Sequence, residues 1–417
     1  MEMKKYRLGD IAFITKLAGF EHTKFIQGNC SHEKQDETYI PLFIGKTVRD
    51  GKIDTNFDWY IPNSIAKELP RSQLNKKCLV LPYVGSLGDL AIFDGSYDAL
   101  LGSNIAKIEL NTNSGYSEEF IYYYLKSPYG QAVLLKDEQG GVQKNITMES
   151  IRNVVLPSIN IKTQKKIADV LSCIDDKIAL NNKTNAELEN MAKTVYDYWF
   201  TQFDFPDKNG NPYKSSGGKM IYNEILKREI PEGWEVGKLS DIAYFSNDTT
   251  DTENLKNYIT TDNILPNKQG IIKAEYIPTY GNVLKYEEYD ILIANIRPYF
   301  KKIWLSNTKG MCSNDVLCIK AKKSIYKYFL YRFLWRDDFF DYVMKGAKGS
   351  KMPRGDKNHI MAMPIALPNN NTLLESFNSF YSPLQNQLWK NLKENEELTK
   401  LRDYLLPLLM NGQIEVK

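Results

Sequence analysis

Apolar positions recur every seven residues over two long stretches of this chain. Between Gln164 and Phe200 the first series is Ile167, Ile174, Asn181, Leu188 and Val195. Val170, Met191 and Tyr198 fall on the second seam position, and Lys177 and Thr184 interrupt it. Farther along, Phe377, Leu384, Asn391, Leu398 and Leu405 repeat at the same spacing. A seven-residue apolar repeat predicts helices that pair through a continuous seam. Asn181 and Asn391 stand at matching points, and a seam Asn fixes register or partner choice at some cost in stability. Roughly 37 residues at about 1.5 Å each span roughly 55 Å, more than a small domain needs. Two amphipathic helices that each cover their own domain are the plainer alternative.

Elsewhere the pattern shortens to buried strand-like runs, and these too occur twice. The opening 6-YRLGDIA-12 returns as 237-GKLSDIA-243, and 78-CLVLPYVGSLGDLAIF-93 as 290-DILIANIRPYFKKIWL-305. Strand-like 103-SNIAKIEL-110 matches 313-SNDVLCIK-320, and helical 120-FIYYYL-125 matches 329-FLYRFL-334. Each copy then has a polar glycine-bearing loop, 139–147 and 346–357. A short run ending in Leu-Pro follows, and then the seam helix. A period this long is a duplicated module, not a solenoid. Mixed strands and helices at irregular spacing predict an α+β fold: two mixed α/β domains in pseudo-twofold tandem repeat, joined by two long antiparallel coiled-coil helices. Residues 201–220, dense in Asp, Asn, Gly, Pro and Ser, predict a linker between the copies.

Composition narrows the class. The chain has 417 residues, 42% hydrophobic and 25% charged, enough for two or three domains with real cores. A net charge of +3 announces no nucleic-acid binder, so such a role must rest on local patches. Cys30, Cys78, Cys173, Cys312 and Cys318 are scattered and complete no zinc set with His22, His32 or His359. No signal-like or membrane-length apolar run is present, which predicts a cytoplasmic chain with reduced thiols.

Candidate contacts with a duplex lie on the polar tips. The loop 345-KGAKGSKMPRGDKNH-359 carries Lys348, Lys351, Arg354 and Lys357, and the turn 295-NIRPYFKK-302 adds Arg297, Tyr299 and Lys301. Lysines neutralise phosphates, Arg pairs with guanine and Asn with adenine. In the first copy the equivalent turn offers Tyr83 and Ser86, and the loop Gln143, Lys144 and Asn145. Taken singly these are ordinary solvated loops. Their recurrence at equivalent points with divergent sequences points to two heads that read different short sequences. Catalytic sets are missing: no phosphate loop, no dinucleotide fingerprint, no base-methylation motif and no metal-ligand spacing.

The segment 156-LPSINIKTQKKIADVLSCIDDKIALNNKTNAELENMAKTVYDYWF-200 resembles the central region of specificity subunits of type I restriction–modification enzymes. Gln164, Ile167, Leu171, 174-IDDKI-178, Asn182, Leu188 and 199-WF-200 carry the match, and 201-TQFDFP-206, 215-SSGGKM-220 and 231-PEGWE-235 continue it. The second helix departs, with Leu374 where the first has Gln164 and Gln385-Asn386 where it has Asp175-Asp176. The resemblance implies a target-recognition domain at 1–157, a helical spacer at 158–203, a linker at 204–230, a second target-recognition domain at 231–368 and a second spacer at 369–417. It further implies a non-catalytic subunit that binds double-stranded DNA with a bipartite sequence. Two methyltransferase subunits and a restriction and motor subunit would join it. S-adenosylmethionine, ATP and Mg would belong to those partners, not to this chain. The assembled complex would then methylate adenine at N6 and cut DNA at the expense of ATP. Other readings are a protein-binding coiled-coil scaffold, a specificity subunit of a related system outside type I, and an enzyme with unrecognised motifs.

Overall fold

The computed structural model describes residues 6–49, 51–136, 145–252, 257–279 and 281–416. The chain divides into two compact units, Met1–Leu180 with Glu394–Lys417, and Asn181–Lys393. Each unit therefore contains one strand-rich head and a piece of each long helix.

In the first unit the strand Cys78–Pro82 is buried along its whole length. It pairs antiparallel with Ala91–Phe93 on one side and Ile105–Leu110 on the other, and Ala12–Lys16 completes the four-stranded sheet. Side chains alternate across it, as strand geometry requires. Leu79 and Leu81 join Phe120, Ile121 and Leu125 of the helix Glu118–Lys126 in one core, whereas Cys78 and Val80 join Phe43 and Phe93 in another. The second core is closed by a mixed sheet ordered Tyr60–Pro62, Tyr39–Phe43, Ala99–Leu101, Gln73–Leu74, in which Leu42 and Leu100 are parallel partners. Ser117 caps the helix by accepting from the Phe120 N–H at 3.2 Å, one of the orphan donors of a first turn.

The long helix Ile161–Tyr196 is fastened to this head at its start. Gln164 is fully buried; its amide accepts from the Ser117 N–H at 3.1 Å and donates to the carbonyls of Gly115 and Ile159 at 2.9 and 2.7 Å. Within the unit its residues up to Leu180 lie antiparallel to those after Glu394 of the second long helix, Asn371–Met410. Asp175 accepts from Arg402 at 2.8 Å and Lys177 pairs with Glu394 at 3.1 Å.

The second unit repeats the plan. Ala243–Phe245, Val316–Ala321, Ile291–Ala294 and Ile303–Leu305 form one sheet in that order, and Thr249–Asp251, Asn282–Tyr286, Gly310–Cys312 and Tyr258–Ile259 the other. Ile259 and Cys312 are its parallel partners. Ile291 and Ile293 face the helix Lys327–Trp335, and Leu292 and Ala294 face the second sheet. The mixed sheets share three strands, but the fourth is added at opposite edges, Tyr60–Pro62 in one head and Thr249–Asp251 in the other. Here the helices meet through Phe377, whose ring lies 5.9, 6.0 and 5.1 Å from those of Tyr196, Trp199 and Phe200. Asn391 donates to Asn185 at 2.8 Å and accepts from Gln387 at 2.7 Å.

One seam runs through Ile167, Ile174 and Asn181, all buried, and partly buried Leu188 and Val195. In the second helix Asn391 is buried and Leu384, Leu398 and Leu405 are partly so. The other seam differs from the expected one. Met191 and Tyr198 are 50% and 38% exposed, whereas Leu171 and Ala192 are buried and Ile178 and Asn185 are half-buried. The line thus passes one residue away from Val170, Met191 and Tyr198, because in its later half Asn185 and Ala192 carry it with no large apolar side chain to mark it. The residues 201–220 also differ from a free linker. Asp204 accepts from the N–H and hydroxyl of Ser215 at 2.7 and 2.6 Å, Phe205 stacks on Tyr213 at 4.8 Å and on Trp234 at 5.5 Å, and Met220–Asn223 pairs with Arg228–Pro231.

Candidate nucleic-acid interface

In both heads three backbone segments converge beside the central strand. In the first, the turn after Pro82 meets the end of the glycine-bearing loop through a bridge between Val84 and Asn145. The Ile146 N–H donates to the Tyr83 carbonyl at 2.9 Å, and the Tyr83 N–H to the Asn104 carbonyl at 3.1 Å. In the second, Ile296 bridges Arg354, the Arg297 N–H donates to the Pro353 carbonyl at 3.3 Å, and the Asn295 N–H to the Asp315 carbonyl at 2.9 Å. Tyr83, Asn104 and Asn145 are thus the structural counterparts of Asn295, Asp315 and Arg354. The linear repeat pairs Asn104 with Asn314, one residue away; strand register corrects it, since Ile105 lies opposite Pro82 as Val316 lies opposite Ala294.

Local sequence explains the close approach. A Cβ on Gly355 would sit 2.8 Å from Val343 Cγ1 and 2.9 Å from Asn295 Oδ1. Only glycine lets its N–H reach that Oδ1 at 3.0 Å. Arg297 and Lys301 adopt left-handed conformations, φ 50° and 52°, around the turn Pro298–Phe300. Such a conformation costs a non-glycine residue on the order of 1 kcal/mol, and strain of this kind gathers at ligand-binding turns.

The structure places the candidate residues in different electrostatic states. Lys301 and Lys268 both contact Asp337 at 2.8 Å. These bonds, Lys268's first and then Lys301's, hold the Asp337 carboxyl down at about 2. Lys348 pairs with Asp356, which also caps the helix Lys357–Met361 and is likewise lowered to about 2, chiefly by Lys348. Arg354 meets Asp315 at 3.3 Å, and Lys357 lies 5.4 Å from the Phe245 ring centre. The Arg297 guanidinium is 5.6 Å from the Phe300 ring centre, and Tyr299 is exposed beside it. Lys351 is exposed with no ion-pair partner among the described residues. In the first head Tyr83 is half-buried, burial raises its pKa, and Lys16 stands 4.5 Å over its ring. Ser86 is exposed; the Asn145 Oδ1 is buried with no partner among the described residues. Gln143 and Lys144 lie outside the described residues. Asn104, Asn295, Asp315 and Lys16 join the candidates only through the structure: 103-SNIAKIEL-110 and 313-SNDVLCIK-320 read as strands alone, and nothing in the sequence marks Lys16 or singles out Asn295 within its turn.

Residues 1–190 match the family model of the type I restriction modification DNA specificity domain. The MjaIX specificity subunit, from a type I restriction enzyme of Methanocaldococcus jannaschii, is 28% identical over 347 residues, 75% of each chain. A putative MjaX specificity subunit of the same organism is 24% identical over 406 residues, 94% of this chain and 91% of that one. Residues 1–190 are thus similar to a type I restriction modification DNA specificity domain, and the similarity to the two specificity subunits extends beyond them. A crystal structure of a type I restriction–modification system S subunit from M. genitalium shares the fold, with a TM-score of 0.57 at 15% identity over 97% of this chain and 95% of that one. Among the described residues no cluster of His, Cys, Asp and Glu is arranged to hold a metal, and no helix is long and apolar enough to cross a membrane.

Proposed function

We propose that this chain is the specificity subunit of a type I restriction–modification complex, a recognition component that carries no chemistry of its own and directs partner subunits to a bipartite DNA sequence. The observation that carries the reading is the recurrence of one backbone frame with different polar side chains at its tip, Tyr83, Asn104 and Asn145 in one head and Asn295, Asp315 and Arg354 in the other. Heads at 1–157 and 231–368 each face one half-site, and the helical regions 158–203 and 369–417 set the gap between them. The bonds of Asp175 with Arg402 in one unit and of Asn391 with Asn185 in the other support a pairing of the two long helices within each unit. Two copies of a methyltransferase subunit dock on the duplicated helices, and a restriction and motor subunit completes the complex. S-adenosylmethionine, ATP and Mg are bound by those partners. The complex works in the cytoplasm, where its DNA is. Replacing residues 231–368 with the corresponding head of another specificity subunit tests this. The expected result is a methylated motif changed in one half only; a change in both halves, or in neither, refutes independent heads.

A further inference from the structure

The two tips hold their backbones alike, so what distinguishes them is the side chains at three equivalent positions. In the first head the set is uncharged. In the second it contains an Arg with a carboxylate behind it: Arg354 Nη2 lies 3.3 Å from Asp315 Oδ1, and Asn295 Oδ1 is engaged by the Gly355 N–H. Arg354 is also fixed through its own backbone, since it exchanges two 2.9 Å hydrogen bonds with Lys348 and bridges Ile296. Its side chain is 57% exposed and that of Asp315 45%. A pair so exposed adds little to folding stability, which leaves orientation as its effect. A guanidinium held at one edge by a carboxylate keeps its remaining N–H groups directed outward in a fixed fork. Such a fork matches the O6 and N7 acceptors of guanine. The other cations at this tip sit differently. Lys301 shares its carboxylate with Lys268, Lys348 is paired beside a helix start, and Lys351 is exposed with no ion-pair partner among the described residues, suited to a phosphate.

We propose that Arg354 reads a guanine in the half-site of the second head and that Asp315 is the positioning residue that orients it. The proposal rests on the DNA-recognition reading above. The full chain in complex with its methyltransferase subunit is used to select from a pool of random duplexes, as parent, Arg354→Ala, Arg354→Lys, Asp315→Asn and Asp315→Glu, with thermal melting as a check on folding. The parent selects a bipartite motif with a guanine in one half. Arg354→Ala lowers preference for that guanine by about 5- to 150-fold and leaves the other half-site unchanged. Arg354→Lys, which keeps the charge without the fork, loses most of that preference as well. Asp315→Asn weakens it with little loss of total affinity, and Asp315→Glu restores it. A uniform loss over all sequences in Arg354→Ala, with the salt slope reduced by about one, makes Arg354 a phosphate contact and overturns the proposal; so does an unchanged motif. A folded parent complex that selects no motif overturns both this proposal and the functional reading.

Discussion

Removal of one carboxylate on the first long helix reports how firmly that helix is joined to the second head. Arg332, on the helix Lys327–Trp335, is 1% exposed and donates to Glu189 at 2.8 Å. Its guanidinium lies 4.1 Å from the Trp335 ring centre, and its Nε has no partner among the described residues. Glu189→Ala therefore strands a buried cation that already has one unsatisfied donor. Breaking a buried pair from one side costs about 3–5 kcal/mol. Because the Glu189 side chain is 28% exposed, water partly screens the pair, and the lower value of about 3 kcal/mol applies. For a unit of about 200 residues each kcal/mol moves Tm by about 2–4 °C, so the transition of the second unit falls by roughly 6–12 °C. Arg332→Met removes the charge, keeps an apolar body and leaves Glu189, which water still reaches, so it costs less than Glu189→Ala. The double variant recovers most of the loss. Scanning calorimetry of the four proteins completes the cycle. A Glu189→Ala transition within about 2 °C of the parent, or a double variant with additive losses, refutes the view that Arg332 depends on this carboxylate.

Other consequences concern the seam, the core and the tip. Phe377→Ala leaves a void among Tyr196, Trp199, Phe200 and Tyr381 and costs about 3–5 kcal/mol by urea titration, with loss of near-ultraviolet dichroism. Asn391→Leu strands Asn185 and Gln387 and costs about 1–3 kcal/mol. Leucine at both 185 and 391 raises Tm above the single variant but admits other associations, visible by native mass spectrometry. The Asp337 carboxyl, held down at about 2 by Lys268 and Lys301, is expected to titrate there in a carboxyl NMR experiment. Because its folded pKa is depressed, its stabilising effect is present above pH 4 and disappears as pH falls toward 2, so Asp337→Asn and the parent converge in acid. Lys351→Ala reduces the salt slope of DNA binding by about one, whereas Lys301→Ala, whose cation shares Asp337 with Lys268, changes it less.

The features legible in the sequence are those that repeat. The equivalences 78–93 with 290–305 and 120–125 with 329–334 follow the observed strands and helices because buried runs keep their periodicity under substitution. The seam through Ile167, Ile174 and Asn181 was visible because a large apolar or an Asn marks every turn pair. Its companion was not, since Asn185 and Ala192 carry little apolar signal. The mixed second sheet was hidden for another reason: its strands are two to five residues long and pair across long loops, as Leu42 does with Leu100. At the tips the loops could be read but not their meeting points. Asp315 joins Arg354 only because strand register places it one step from its apparent repeat partner, and the pairing of Lys301 with Asp337 crosses 36 residues.

In the proposed function, two independent heads direct modification to one bipartite sequence. The decisive experiment expresses the full chain with the methyltransferase subunit proposed to dock on it and maps methylated adenines across the genome. The expected result is one motif in two parts, separated by a fixed gap, with one adenine marked in each part. A soluble complex that methylates at no shared motif, or at an undivided one, contradicts it.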